Sequence, residues 1–126
     1  MLWGSEYPMI RWLESNGYDV AYQAGIDTDR LGVQNLLNHK VFLSVGHDEY
    51  WSGKQRTNIE EARDKGMHLS FFSCNEVYWR IRWEDDYRTI VVYKESQSKV
   101  KIDPNMTEWT GTFIDSREIN PLGPNP

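Results

Sequence analysis

Short continuous apolar runs, separated by amphipathic stretches, set the plan of this chain. Residues 41–45 (Val41, Phe42, Leu43, Ser44, Val45) and 69–73 (Leu69, Ser70, Phe71, Phe72, Ser73) do not alternate polar and apolar. Such runs suit strands buried on both faces of a parallel sheet. Between them, Ser52 to Gln55 has the spacing of a capping box. Ile59 and Ala62 then mark an inward face, and Gly66 supplies a stop, which predicts a helix from 52 to 65. Upstream, Pro8 suits a first helical turn, where its missing N–H costs nothing. Met9, Ile10 and Leu13 continue that stripe to a stop at Gly17. Residues 19–23 read as a short strand. Asp27 or Thr28 can cap a further helix with Leu31, Leu36 and Leu37 on its apolar face. Residues 7–73 thus alternate helix and strand, which predicts right-handed βαβ units and an α/β, three-layer sandwich around a mainly parallel sheet.

The rhythm changes after Trp79. Segments 80–84, 89–94 and 99–102 read as strands without intervening helices, and 109–113 as one more. This part is expected to be antiparallel. A single partial domain follows as the expectation: an α/β core over 1–79, then a β-rich extension with a Pro-rich tail over 80–126. The chain enters a helix almost at once and closes in a proline-rich loop, so the domain is expected to be incomplete at both ends.

Composition narrows the function more than the fold. The chain has 126 residues, 39% hydrophobic and 13% aromatic, enough for one core. Its net charge of -5 argues against nucleic acid or an anionic membrane as partner, since both require a basic face. No apolar stretch approaches a membrane span, and Trp3-Gly4-Ser5-Glu6 is no secretory core. These features favour the cytoplasm slightly. The one cysteine, Cys74, excludes an internal disulfide framework. No internal repeat is visible.

In an open α/β sheet, ligands gather beyond the carboxyl ends of the strands. Two loops leave such ends here: Gly46-His47-Asp48-Glu49-Tyr50-Trp51 and Cys74-Asn75-Glu76-Val77-Tyr78-Trp79. Glu6 and Tyr7 should arrive at the same edge. Each of these residues also has a plain reading. His47 can bond a backbone carbonyl, Asp48 and Glu49 can favour the dipole of the following helix, and the Trp and Tyr rings can simply pack. Three chemistries compete with that. Cys74 could act as a nucleophile with His47 as base and Glu76 or Asp48 orienting it. However, Phe72 and Glu76 stand where a nucleophile elbow wants small residues. A metal site could draw on His47, Asp48, Glu49, Tyr50 and Glu76, although the common zinc motifs are absent. The abundant Trp and Tyr could serve a sugar-binding module, although most fall inside predicted elements.

The long composite from Gly46 to Ser52, with Arg56, the stretch from Glu60 to Gly66, and Phe71 to Arg80, resembles the C-terminal part of the N,N-dimethylformamidase large (beta) subunit family. The stretches from Glu6 to Glu14, Gly17 to Val20, and Trp109 to Thr112 share in that resemblance. It implies a class I glutamine amidotransferase-like α/β domain and hydrolysis of N-substituted formamides, with a mononuclear ferric iron held by two tyrosines and a glutamate. Tyr50 matches one tyrosine. Tyr7 is assigned as the second, with Tyr78 as the alternative. The glutamate is expected beyond Pro126. His47 and Glu49 are the expected catalytic proton carriers beside that site. Relatives commonly carry glycine at the position of Cys74, which weakens the thiol reading. The implied partners are a small amide substrate, further domains of the same subunit, and a small subunit or further copies of the chain. The chemistry is coherent: a phenol of pKa about 10 ligates only a strong Lewis acid, and phenolate and carboxylate are hard donors suited to a trivalent ion.

Overall fold

Pro8 does open a helix. In the computed structural model, which describes residues 2–94, 102–105 and 107–114, a π-helical turn (Leu2–Glu6) runs into α1 (Tyr7–Ser15). Then come α2 (Gly25–Leu36), β1 (Val41–His47), β2 (Tyr50–Ser52), α3 (Gly53–Asp64), β3 (His68–Cys74), β4 (Trp79–Glu84), β5 (Thr89–Val91) and β6 (Gly111–Thr112). Ser52 caps α3 as its spacing predicts, its Oγ accepting the Gln55 backbone N–H at 2.9 Å.

The α2 cap differs from expectation. Ala24 holds the cap position, and Asp27 reaches back from the first turn to accept the Ala24 N–H at 3.1 Å. Thr28 is buried and accepts from Gln23 Nε2 at 2.7 Å. A positive-φ kink at Gly32 breaks the helical stripe, so Leu36 is buried while Leu31 stays in solvent. Residues 19–23 form no strand. Their side chains instead tie helices together: Tyr22 donates to Glu14, and Gln23 accepts from Asn35.

β1 and β3 pair in parallel, from Val41 opposite His68 to His47 opposite Cys74, with α3 between them in sequence. The expected βαβ unit is therefore present. The expectation of burial on both faces is not met. Phe71 and Phe72, on opposite faces of β3, are 43% and 61% exposed. Among the described residues β1 and β3 form a sheet of only two strands, so neither face is fully covered.

The same two chain segments pair again further on. β2 runs parallel to β4, with Tyr50 opposite Trp79 and Ser52 opposite Ile81. The ladder slips between the two pairings, because Asn75 to Tyr78 span the gap on one side and only Asp48 and Glu49 on the other. β4 also pairs antiparallel with β5 and β6, as the second half of the sequence predicts. The strand expected over 89–94 ends at Val91, and that over 109–113 contracts to Gly111–Thr112. Of the segment 99–102, only Ile102 lies within the described residues, and it is not in a strand. The core gathers Leu36, Trp51, Ile59, Ala62, Met67 and Phe113, so α2 and α3 close over the face that carries Trp51.

Candidate active site

The slip in the ladder is where the polar residues collect. Val77 donates its N–H to the Asp48 carbonyl at 3.1 Å, and Tyr78 and Trp79 donate theirs to the Glu49 carbonyl at 3.1 and 2.8 Å. These bonds lace the two loops together. Asn75 and Val77 take positive φ, 56° and 53°, to absorb the extra length. Both loops were expected beyond the strand ends. Instead they join the β1–β3 sheet to the β2–β4 pairing of the second sheet, and Tyr50 opens β2 rather than lying in a loop.

Glu6 arrives at the same place. A β-carbon on Gly46 would lie 2.7 Å from Glu6 Oε1 and 3.4 Å from the Ser5 side chain, and Gly46 sits at φ +89°. The positive φ is what favours glycine here, and its bare backbone leaves room for the Glu6 carboxylate. Tyr7 follows directly, 40% exposed, with the Arg11 guanidinium 5.9 Å from its ring centre. Tyr50 is 39% exposed, and its hydroxyl accepts a hydrogen bond from Lys94 Nζ. The same ammonium stands 4.6 Å from the Tyr50 ring centre and 5.2 Å from that of Trp79. Tyr78 packs edge-on against Trp79 at 5.0 Å. His47 is exposed at the end of β1, and Glu49 is half-buried in the gap.

Two serines that read as strand residues join the site. Ser44 Oγ donates to Asp48 at 2.7 Å, Ser73 Oγ donates to Glu76 at 2.7 Å, and the two hydroxyl oxygens face each other at 3.3 Å. A hydroxyl has one proton. With each given to a carboxylate, the middle contact has none left. The bond from Ser73 holds the Glu76 carboxyl below its ordinary value, helped by its own backbone N–H and the charge of nearby His47. These serines were the polar interruptions in otherwise apolar runs, the one sequence signal that pointed to them. Lys94 gave no signal, because its role depends on a contact 44 residues away.

Cys74 is exposed and lies beside His47 across the ladder. It completes β3, and the left-handed residues are Asn75 and Val77, not the cysteine itself. A nucleophile elbow instead holds its nucleophile on a strained turn. Among the described residues, no group of three His, Cys, Asp or Glu side chains is placed to hold a metal. The oxygen donors at this edge include tyrosines.

The comparison with known families decides the kinship. The family described as N,N-dimethylformamidase beta subunit-like, C-terminal, matches residues 1–123. The chain belongs to that family. A search of curated proteins finds no significant match. In this member of the dimethylformamidase-like family, residues His47 to Tyr50 meet the stretch from Cys74 to Trp79 where the two parallel pairings adjoin. No described helix is long and apolar enough to cross a membrane.

Proposed function

We propose that the protein acts as part of an amide-hydrolase subunit, cleaving the C–N bond of a small N-substituted formamide with the help of one ferric ion. The observation that carries this reading is the Tyr50 hydroxyl, on a side chain 39% exposed, whose present partner is the Lys94 ammonium, a cation that an incoming metal ion would displace. A hard oxygen in that position is chemically suited to a trivalent cation. Tyr7 is the second donor in this reading, supported by the packing of the preceding Glu6 on Gly46; Tyr78 is its competitor. A glutamate following Pro126 would complete the set. When bound there, such an ion supplies Lewis acidity toward an amide carbonyl and toward water.

The chain's own residues do the rest. His47, open to solvent beside Glu76, takes a proton from the attacking water and returns one to the departing amine. Glu49, half-buried in the gap between β1 and β2, is the second proton carrier. The Ser44 and Ser73 hydroxyls fix Asp48 and Glu76, so the negative charge beside His47 stays in place. The products are a carboxylate and an amine. The beta-subunit-like character of the family suits a multi-subunit enzyme.

The test reads colour before turnover. Ferric ion titrated into the chain should produce a visible phenolate absorption band, and Tyr50→Phe should abolish the band while leaving the circular dichroism unchanged. A band that survives Tyr50→Phe, or none at all in a protein extended past Pro126, would overturn the assignment. Hydrolysis of N,N-dimethylformamide by the extended protein, lost in the same variant, would tie the metal to the reaction.

A further inference from the structure

Consecutive residues of a strand point to opposite faces. Tyr50 is paired with Trp79, so the next residue, Arg80, looks away from the tyrosine site. It lies on β4 between Trp51 of β2 and Gly111 of β6. Arg80 is only 9% exposed. Its guanidinium stacks over Trp109, 4.3 Å from the ring centre, and presses against Gly53, the first residue of α3. A β-carbon on Gly53 would stand 2.8 Å from Nη2 and 3.1 Å from Cζ, so the glycine is what admits the cation.

Stacking occupies a face of the guanidinium. It does nothing for the N–H groups, which lie in the plane. Those on Nε and Nη1 are buried and, among the described residues, have no hydrogen-bond partner. A buried guanidinium in this state is destabilising unless an anion meets it. The start of α3 adds positive potential, part of which the buried Asp29 offsets by accepting from Ser52. The first turn of α3 leaves backbone N–H groups without intrahelical acceptors, and of these Ser52 Oγ takes that of Gln55. Arg56, one turn further along α3, adds a second guanidinium, itself paired with Glu60 at 2.7 Å; among the described residues the acid bearing on Arg80 is the exposed Glu108.

We propose that Arg80 and the N-terminal turn of α3 form a binding site for a small carboxylate, separate from the tyrosine site on the other face. A planar two-oxygen anion matches a guanidinium edge in shape and charge, and its second oxygen can accept from the helix N-terminus. The site does not depend on the metal reading, so either can fail without the other.

The test uses the 126-residue chain and formate, the smallest carboxylate, with chloride at equal ionic strength as control. Formate should raise the melting temperature saturably and shift the Gly53 and Lys54 backbone amide signals in the NMR spectrum. Arg80→Met should weaken formate binding roughly tenfold or more, the scale of one hydrogen bond to a charged group. It should also melt above the wild type in formate-free buffer, because an unmatched buried charge has gone. Should Arg80→Met fold poorly, Gly53→Ala serves as the second variant, since its methyl group pushes the guanidinium aside and should likewise blunt the response. An equal response to formate and chloride, or amide shifts that persist in both variants, would overturn the site.

Discussion

Single side chains carry the sharpest expectations. Asp103 is buried and accepts from Arg82 Nη1 at 2.9 Å and from the backbone and hydroxyl of Thr110 at 2.8 and 2.7 Å. Burial alone would push its carboxyl up; the bonds from Arg82 and Thr110 outweigh it and hold the group below its ordinary value. A carboxyl whose folded pKa is depressed adds stability above its unfolded value, about 4, and loses it as pH falls through the folded value. Asp103→Asn should therefore cost about 3–5 kcal/mol at neutral pH, the scale of a broken buried pair, and flatten the acid limb of stability. Urea unfolding at a series of pH values measures both. Ser73→Ala removes the main cause of the low Glu76 carboxyl, so an NMR titration should find that group moved back up toward the usual range. Cys74→Ala should keep hydrolysis by the extended protein within about tenfold; a loss near a thousandfold, the scale of a missing nucleophile, would favour the thiol mechanism instead.

Elements explain what the sequence disclosed and what it withheld. α3 was legible because its signals are local: a cap at Ser52, an inward face at Ile59 and Ala62, a stop at Gly66. The parallel pairing of β1 with β3 followed from that helix, since a crossover between two apolar runs leaves little choice. The motif from His47 to Tyr50 falls where the two loops lace together. The slip in the ladder was not legible, because it depends on Asp48 and Glu49 bonding to residues nearly thirty positions away. Residues 19–23 misled for the opposite reason. Their composition suits a strand, but among the described residues no neighbouring strand offers a ladder, and polar side chains anchor them between α1 and α2. The α3 cap has its own test. Ser52 both caps Gln55 and donates to the buried Asp29, which also accepts from Tyr87 at 2.7 Å. Ser52→Ala should cost about 2 kcal/mol, the upper end for a lost cap, since a buried acceptor is weakened as well. Thermal unfolding with Thr57→Ala, an exposed α3 hydroxyl, as control would check it.

At the scale of the whole molecule, the molecule's apolar surface is spent unevenly. α2 and α3 cover one face around Trp51 and Phe113, while β3 leaves Phe71 and Phe72 in solvent on either side of a two-stranded parallel sheet. Parallel strands are ordinarily covered on both faces, and an uncovered apolar strand is a template for association. A net charge of -5 opposes such association at low ionic strength, and added salt screens it. The chain should therefore self-associate as salt and concentration rise. Phe72→Lys should reduce that tendency without lowering stability by more than about 0.5 kcal/mol, because a side chain 61% exposed has little burial to lose. Sedimentation velocity over a range of salt, with urea unfolding alongside, separates the two effects. A large loss of stability in Phe72→Lys would mean that this ring is packed in solution. Association that persists unchanged would move the sticky surface elsewhere, with Trp12 and Tyr18, stacked and exposed on the α1 side, as the next place to look.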